Sequence, residues 1–238
     1  MKISVVQENL VKAVATVSRV VGSRASLPIL GNILLKADKS SLSLSTTNLE
    51  IALTVTIGCK AEQTGTVCVP AKLLLETLQS LQSEKIMLSS DDSKLEIASA
   101  GAEVQIQAMS ADEFPAIPTI SSPQHLTLPR DIMVDALAEV VVAASLDESR
   151  PVLAGVFMQS KQDEIIFAAT DSYRLAETRI SVSSKGDTAI IFPLRTVQEV
   201  LRLAGSSEAS EVALELGKTE AKITINNVEL VTRLIEGS

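Results

Sequence analysis

Adding 123 to a residue number in this chain repeatedly lands on the same kind of residue. SLPILGNILL at 26–35 becomes SRPVLAGVFM at 149–158, with Pro28 over Pro151 and Leu30 over Leu153. The same shift carries Thr47 onto Thr170 and Pro70 onto Pro193. Helical periodicity follows it too. Leu10, Val14, Val17 and Val21 share one face of a helix, and so do their counterparts Met133, Leu137, Val140 and Ala144. Leu74, Leu78 and Leu81 become Val197, Leu201 and Ala204. Toward the end of each copy the register is expected to slip by one, Val104 and Ile106 matching Val228 and Leu230. One offset held over ~70 residues marks a duplicated structural unit.

Each copy reads alike. A short strand leads into an amphipathic helix (about 8–21 and 131–144), and alternating strands follow, in SLSLSTTNLEIALTV and EIIFAATDSYRLAETRI. Pro70 or Pro193 then opens a second helix, where its fixed φ and missing N–H are tolerated. Strands such as KLEIASA and EVQIQAM close the unit. The expected class is α+β: two tandem copies, each mostly antiparallel sheet with two helices on one face. DEFPAIPTISSP (112–123) has three prolines and no periodicity, so the expected domains are 1–120 and 121–238.

The 238 residues are 46% hydrophobic but only 2% aromatic, with no Trp, so the core must be aliphatic. A net charge of −8 argues against a protein held to nucleic acid by bulk charge, while leaving room for a local basic surface. Cys59 and Cys68 read as two buried thiols of a reducing compartment; a disulfide joining them is the other arrangement the count allows. The N-terminus has no signal-peptide pattern and no stretch reads as a membrane span, so the expected location is cytoplasmic, with no membrane partner.

No phosphate-binding glycine loop, C-x-x-C or histidine-rich cluster is present. The one histidine, His125, reads as a solvated linker residue, and DDSK at 91–94 as a hairpin turn. No catalytic residues, metal or cofactor are expected. The densest run of reactive groups is ATDSYRLAET at 169–178, where no base or metal-ligand set accompanies Asp171, Ser172, Tyr173 and Arg174. The first copy reads TNLEIAL at the same offset: Thr47 is kept, but Leu49, Glu50 and Ile51 replace Ser172, Tyr173 and Arg174.

MKISV…NLVKAVATVSRVVGSRASLPILGNILL, VPAKLLLETLQSL, EFPAIP and ATDSYRLAET, in that order, resemble the bacterial DNA polymerase III β subunit family of sliding clamps. The resemblance runs from Met1 to Ser238. It implies DNA-clamp domain 1 (N-terminal) followed by DNA-clamp domain 2 (central). It implies a processivity factor, not an enzyme: a ring around duplex DNA, lined by helices and contacting phosphates without sequence preference. The implied partners are double-stranded DNA, the DNA polymerase III catalytic subunit, the clamp loader and other clamp-motif proteins.

The resemblance points to Arg24 and Arg195 as DNA-facing, with Lys12, Arg19, Lys72 and Arg202 as further cations on or near the helices. Asp147 stands where the family has a DNA-contacting Gln, which puts that contact in doubt. Leu153, Thr170, Ser172, Tyr173, Arg174 and Leu175 match the pocket that docks partner peptides, with Asp171 structural, holding a turn or pairing with Arg174. The resemblance also implies a third domain and self-association into a ring. The chain therefore reads either as a fragment ending at a domain boundary or as a two-domain clamp, three chains making six domains. The rival reading is a two-domain peptide-binding adaptor that does not encircle DNA.

Overall fold

The computed structural model describes residues 1–22, 27–91, 93–182 and 187–237. The chain divides into two units, Met1–Ile117 and Pro118–Ser238.

The first unit runs β1 (Lys2–Val6), α1 (Gln7–Val17), β2 (Asn32–Ala37), β3 (Ser41–Thr47), β4 (Ile51–Gly58), β5 (Lys60–Gln63), β6 (Gly65–Pro70), α2 (Ala71–Ser80), β7 (Lys85–Ser90), β8 (Lys94–Ser99) and β9 (Ala102–Gln107). The second runs β10 (Gln124–Pro129), α3 (Arg130–Val141), β11 (Gly155–Lys161), β12 (Glu164–Thr170), β13 (Leu175–Ser181), β14 (Thr188–Pro193), α4 (Leu194–Gly205), β15 (Glu211–Leu216), β16 (Glu220–Ile225) and β17 (Val228–Arg233). Among the described residues the two orders are the same apart from β5, whose counterpart positions 183–186 lie outside the described residues.

The strands of each unit form two antiparallel groups rather than one sheet. In the first unit these are β4-β3-β2-β6 and β5-β1-β7-β8-β9. In the second they are β13-β12-β11-β14 and β10-β15-β16-β17. The helix pair of each unit touches strands of both groups.

Most of the expected face residues are buried, but Val21 lies beyond α1 and it and Leu201 are only half-buried, Val200 and Leu203 taking the core side of α4 instead. α1 buries Leu10, Ala13, Val14 and Val17, and α3 buries Met133, Ala136, Leu137 and Val140. A fully buried aliphatic side chain contributes about 1.5–3 kcal/mol, so an aliphatic core of this kind compensates for the scarcity of rings. The first helices are shorter than expected. α1 stops at Val17, where the buried Thr46 hydroxyl donates to the Val17 carbonyl at 2.7 Å. Pro70 and Pro193 end their strands and stand immediately before α2 and α4, where no helical N–H is needed.

The register slip is three residues, not one. β7, β8 and β9 start at 85, 94 and 102, whereas β15, β16 and β17 start at 211, 220 and 228, an offset of 126. α4 has 12 residues against 10 in α2, and 206–210 is one residue longer than 81–84. Side chains alternate in β-strands, so Val104 and Ile106 look equally well aligned at any even displacement along β17. His125 is also corrected: it lies in β10, opposite Glu215, with its side chain on the exposed side.

Candidate functional site

The run at 169–178 is first of all a tight turn, and its polar residues build it. Thr170 Oγ1 donates to the Arg174 carbonyl at 2.7 Å and accepts from the Ser172 N–H at 3.1 Å. Asp171 Oδ1 accepts from the N–H groups of Tyr173 and Arg174, both at 3.0 Å. Asp171 Oδ2 takes the Arg174 Nε–H at 3.0 Å. The Tyr173 N–H, then the Arg174 N–H and charge, hold the Asp171 carboxyl below the usual carboxylate range.

The first copy builds the same turn. Thr47 Oγ1 donates to the Ile51 carbonyl and accepts from the Leu49 N–H. Asn48 Oδ1 accepts from the N–H groups of Glu50 and Ile51. Leu49 and Ser172 both have positive φ, 76° and 77°. Thr170 and Asp171 are thus accounted for by backbone satisfaction. What distinguishes the second copy is the side chains carried on the turn: Tyr173 is 98% exposed and Leu175 69%.

Leu175 pairs with Thr170 across β12–β13. Phe157 pairs with Ala168, and continuing that register by two residues puts Gly155 level with Thr170. The half-buried Leu153, just before β11, therefore lies at the same end of the sheet as the turn. Val152, half exposed there, is a neighbour that sequence reading missed. Its counterpart in the first copy, Ile29, is buried in a core cluster, so the repeat alone pointed to burial instead. An exposed ring, two partly exposed aliphatic groups and one guanidinium suit an extended peptide with an apolar side chain. Among the described residues no group of His, Cys, Asp and Glu could hold a metal ion.

The expected DNA-facing cations mostly carry their own counter-ions. Lys12 pairs with Glu8 at 2.6 Å, Lys72 with Glu76 at 3.9 Å, and Arg195 with Glu148 at 3.0 Å. Arg202 is bound to Glu199 and is largely covered, which corrects the picture of a freely presented cation. Arg19 is exposed just beyond α1 and makes no ion pair with a described residue. Arg24 lies outside the described residues. Three of these partners sit three or four residues away on the same helix, so helical spacing could have revealed them from sequence. Asp147 is exposed and accepts from the Ser149 N–H at 2.9 Å.

Both cysteines are free thiols. Cys68 is buried as expected, and burial pushes its pKa up to about 12. Cys59 is only half-buried, because it joins β4 to β5 rather than lying within a strand. Among the described residues no helix is long and apolar enough to cross a membrane.

Two tandem α+β units, each with a helix pair against two antiparallel groups of four or five strands and with an exposed turn on the second unit, define a DNA-clamp type of protein. Residues 1–118 match the DNA polymerase III beta subunit N-terminal domain and residues 127–238 its central domain. The chain belongs to the DNA polymerase III beta subunit family.

The beta sliding clamp of Synechocystis sp. is 33% identical over 261 residues, covering 100% of this chain and 67% of that protein. That of Bacillus subtilis is 26% identical, covering 100% and 66%. The crystal structure of the Bacillus subtilis sliding clamp superposes with a TM-score of 0.95 at 25% identity, covering 100% of this chain and 65% of that one. A Bartonella birtlesii sliding clamp bound to griselimycin gives 0.94 at 28%, covering 100% and 66%. The chain thus spans about two thirds of the length of its relatives.

Proposed function

We propose that this chain acts as a sliding clamp in DNA replication, as part of a ring that encloses duplex DNA and keeps the replicative polymerase attached. The reading is carried by the duplication itself: the same element order twice, matching clamps along the whole chain. Its partners are then duplex DNA, the polymerase III catalytic subunit, the clamp loader and other proteins bearing clamp-binding peptides. Its work is topological rather than catalytic, and its place is on DNA in the cytoplasm. An acidic chain suits this role, since a sliding ring needs only weak phosphate contacts and a tight grip would stop it. Partner peptides dock at the 170–175 turn with Leu153.

One observation favours the two-domain adaptor as a second reading. Lys12, Lys72, Arg195 and Arg202 are all paired with carboxylates, so the helices present little free positive charge. Retention on DNA decides between them. The ring reading expects the loaded protein to stay on closed circular DNA through a high-salt wash and to leave when the circle is cut. Equal loss from circular and linear DNA, with peptide binding intact, would instead establish the adaptor. The solution mass, measured by light scattering over a concentration range, gives the number of chains in the assembly.

A further inference from the structure

The first unit closes an apolar patch that the second leaves open. Ile29, Leu30, Cys68 and Phe114 form one buried cluster, with Leu34, Met109 and Ile117 packed against it. The segment that brings Phe114 there starts where Met109 bridges Cys68, its N–H donating to the Cys68 carbonyl at 2.8 Å. Ser110 then caps a single 3-10 turn, Ala111–Glu113. Pro115 keeps Phe114 extended, at φ −71° and ψ 129°. Residues next to Phe114 in sequence thus fix its backbone before any packing does.

The same floor recurs in the second unit. Adding 123 to Ile29, Leu30, Leu34 and Cys68 gives Val152, Leu153, Phe157 and Ile191, all apolar. The bridge recurs as well. Ile235 pairs with Ile191, its N–H donating to the Ile191 carbonyl at 2.9 Å, and 235 follows 109 by the offset of 126 that β15, β16 and β17 keep. A Cβ on Gly237, the counterpart of Ala111, would lie 3.0 Å from Val152 Cγ2 and 3.2 Å from Ile191 Cδ1, so the chain starts across the floor along the same path. Among the described residues nothing then takes the place of Phe114, and Val152 is 47% exposed where Ile29 is 7%.

We infer that the floor of Val152, Leu153, Phe157 and Ile191 docks a Phe-Pro segment supplied from outside residues 1–238, its Phe seated as Phe114 is in the first unit. The occupant is identified by the first copy, which holds that chemistry on the matching residues. A second copy cannot supply it, because its own Phe114 is already buried. The seat adjoins the 170–175 turn through Leu153, but it rests on the duplication and not on the clamp reading.

The test uses the full chain and a labelled synthetic peptide of its own residues Ser110–Pro118, SADEFPAIP, followed by fluorescence anisotropy. The peptide carries two acids, so general attraction by an acidic chain does not draw it in. It binds, and its Phe114→Ala form binds about tenfold more weakly or worse, as loss of a buried Phe side chain requires. Val152→Asp in the chain, at a half-exposed position, weakens the peptide about tenfold, and circular dichroism confirms that this variant is folded. Methyl NMR finds the bound peptide at Val152 and Ile191 and leaves Ile29 unmoved. Tyr173→Ala weakens a clamp-motif peptide but not this one, which separates failure of the turn reading from failure of this one. Equal binding of the two peptides, or unchanged affinity in Val152→Asp, overturns the proposal. So does perturbation centred on Ile29, which means exchange with Phe114 in the first unit. A concentration-dependent dimer that Val152→Asp abolishes gives the floor to a second copy and overturns it too.

Discussion

Leu49 and Ser172, 123 residues apart, hold the same left-handed backbone, with φ of 76° and 77°. Each is the middle of a turn closed by a threonine hydroxyl and an Asn or Asp side chain. The conformation costs a non-glycine residue about 1–2 kcal/mol, and a β-branched residue tolerates it least. Leu49→Gly is therefore expected to be more stable than Leu49→Val by about 1–2 kcal/mol. Urea unfolding of the two variants checks this.

Asp171 and Asn48 perform the same backbone task, one charged and one neutral. The Asp171 pKa is lowered, so the ordering it gives the turn is complete above the ordinary Asp pKa of about 3.9 and is lost as pH falls through the lower folded value. Asp171→Asn should keep the turn and abolish that dependence, as Asn48 already does. Amide exchange at Tyr173 and Arg174, followed across acidic pH, would contradict this if wild type and variant behaved alike.

Tyr173 contributes almost nothing to the fold, being 98% exposed. Tyr173→Ala should leave unfolding free energy within about 0.5 kcal/mol. The same variant should weaken a clamp-motif peptide by about tenfold, since aromatic side chains anchor such interfaces. Denaturation and anisotropy on one preparation measure both.

Gly155 has no room for a side chain. A Cβ there would lie 2.6 Å from Ile191 Cγ2, 2.7 Å from the Phe192 carbonyl oxygen and 2.9 Å from Ile235 Cδ1. Gly155→Ala is expected to destabilise the second unit by about 1–3 kcal/mol. The first copy carries Asn32 at the equivalent position, its amide donating to the Pro28 carbonyl at 2.9 Å. Thermal melts of Gly155→Ala and Asn32→Ala would separate the two cases.

Cys68 should resist modification in the folded chain. It is buried, with a pKa near about 12, whereas Cys59 is half-buried. A thiol reagent at about pH 8 is expected to label Cys59 first and Cys68 only on unfolding. Mass spectrometry of a time course reads the order directly.

The duplication, most of the buried helix faces and the turn role of Asp171 were legible because each leaves a local pattern, a constant offset, a helical period or a turn residue, whereas Thr170, expected only as a pocket residue, closes that turn. The division of the strands into two groups was not, since alternation states which side chains are inside but not which strands pair. The three-residue register change was hidden for a related reason. The extra residues sit partly within α4, where the amphipathic pattern simply continues. At the candidate interface, Lys12, Lys72 and Arg202 were visible as cations, and their partners Glu8, Glu76 and Glu199, three or four residues away, were legible from helical spacing, whereas the Glu148 partner of Arg195, 47 residues away, was not. The exposure of Tyr173 and the partial covering of Arg202 are tertiary facts that neighbouring residues do not encode.

The longer α4 and the 206–210 connection have a practical meaning. They mark one place in this unit that carries added length while the next two strands, β15 and β16, keep the inward and outward alternation of β7 and β8. An affinity handle or fluorophore-bearing insert belongs there, at a junction whose geometry is buffered against insertion. The same insert in 171–174 would break a hydrogen-bonded turn with no slack to absorb it.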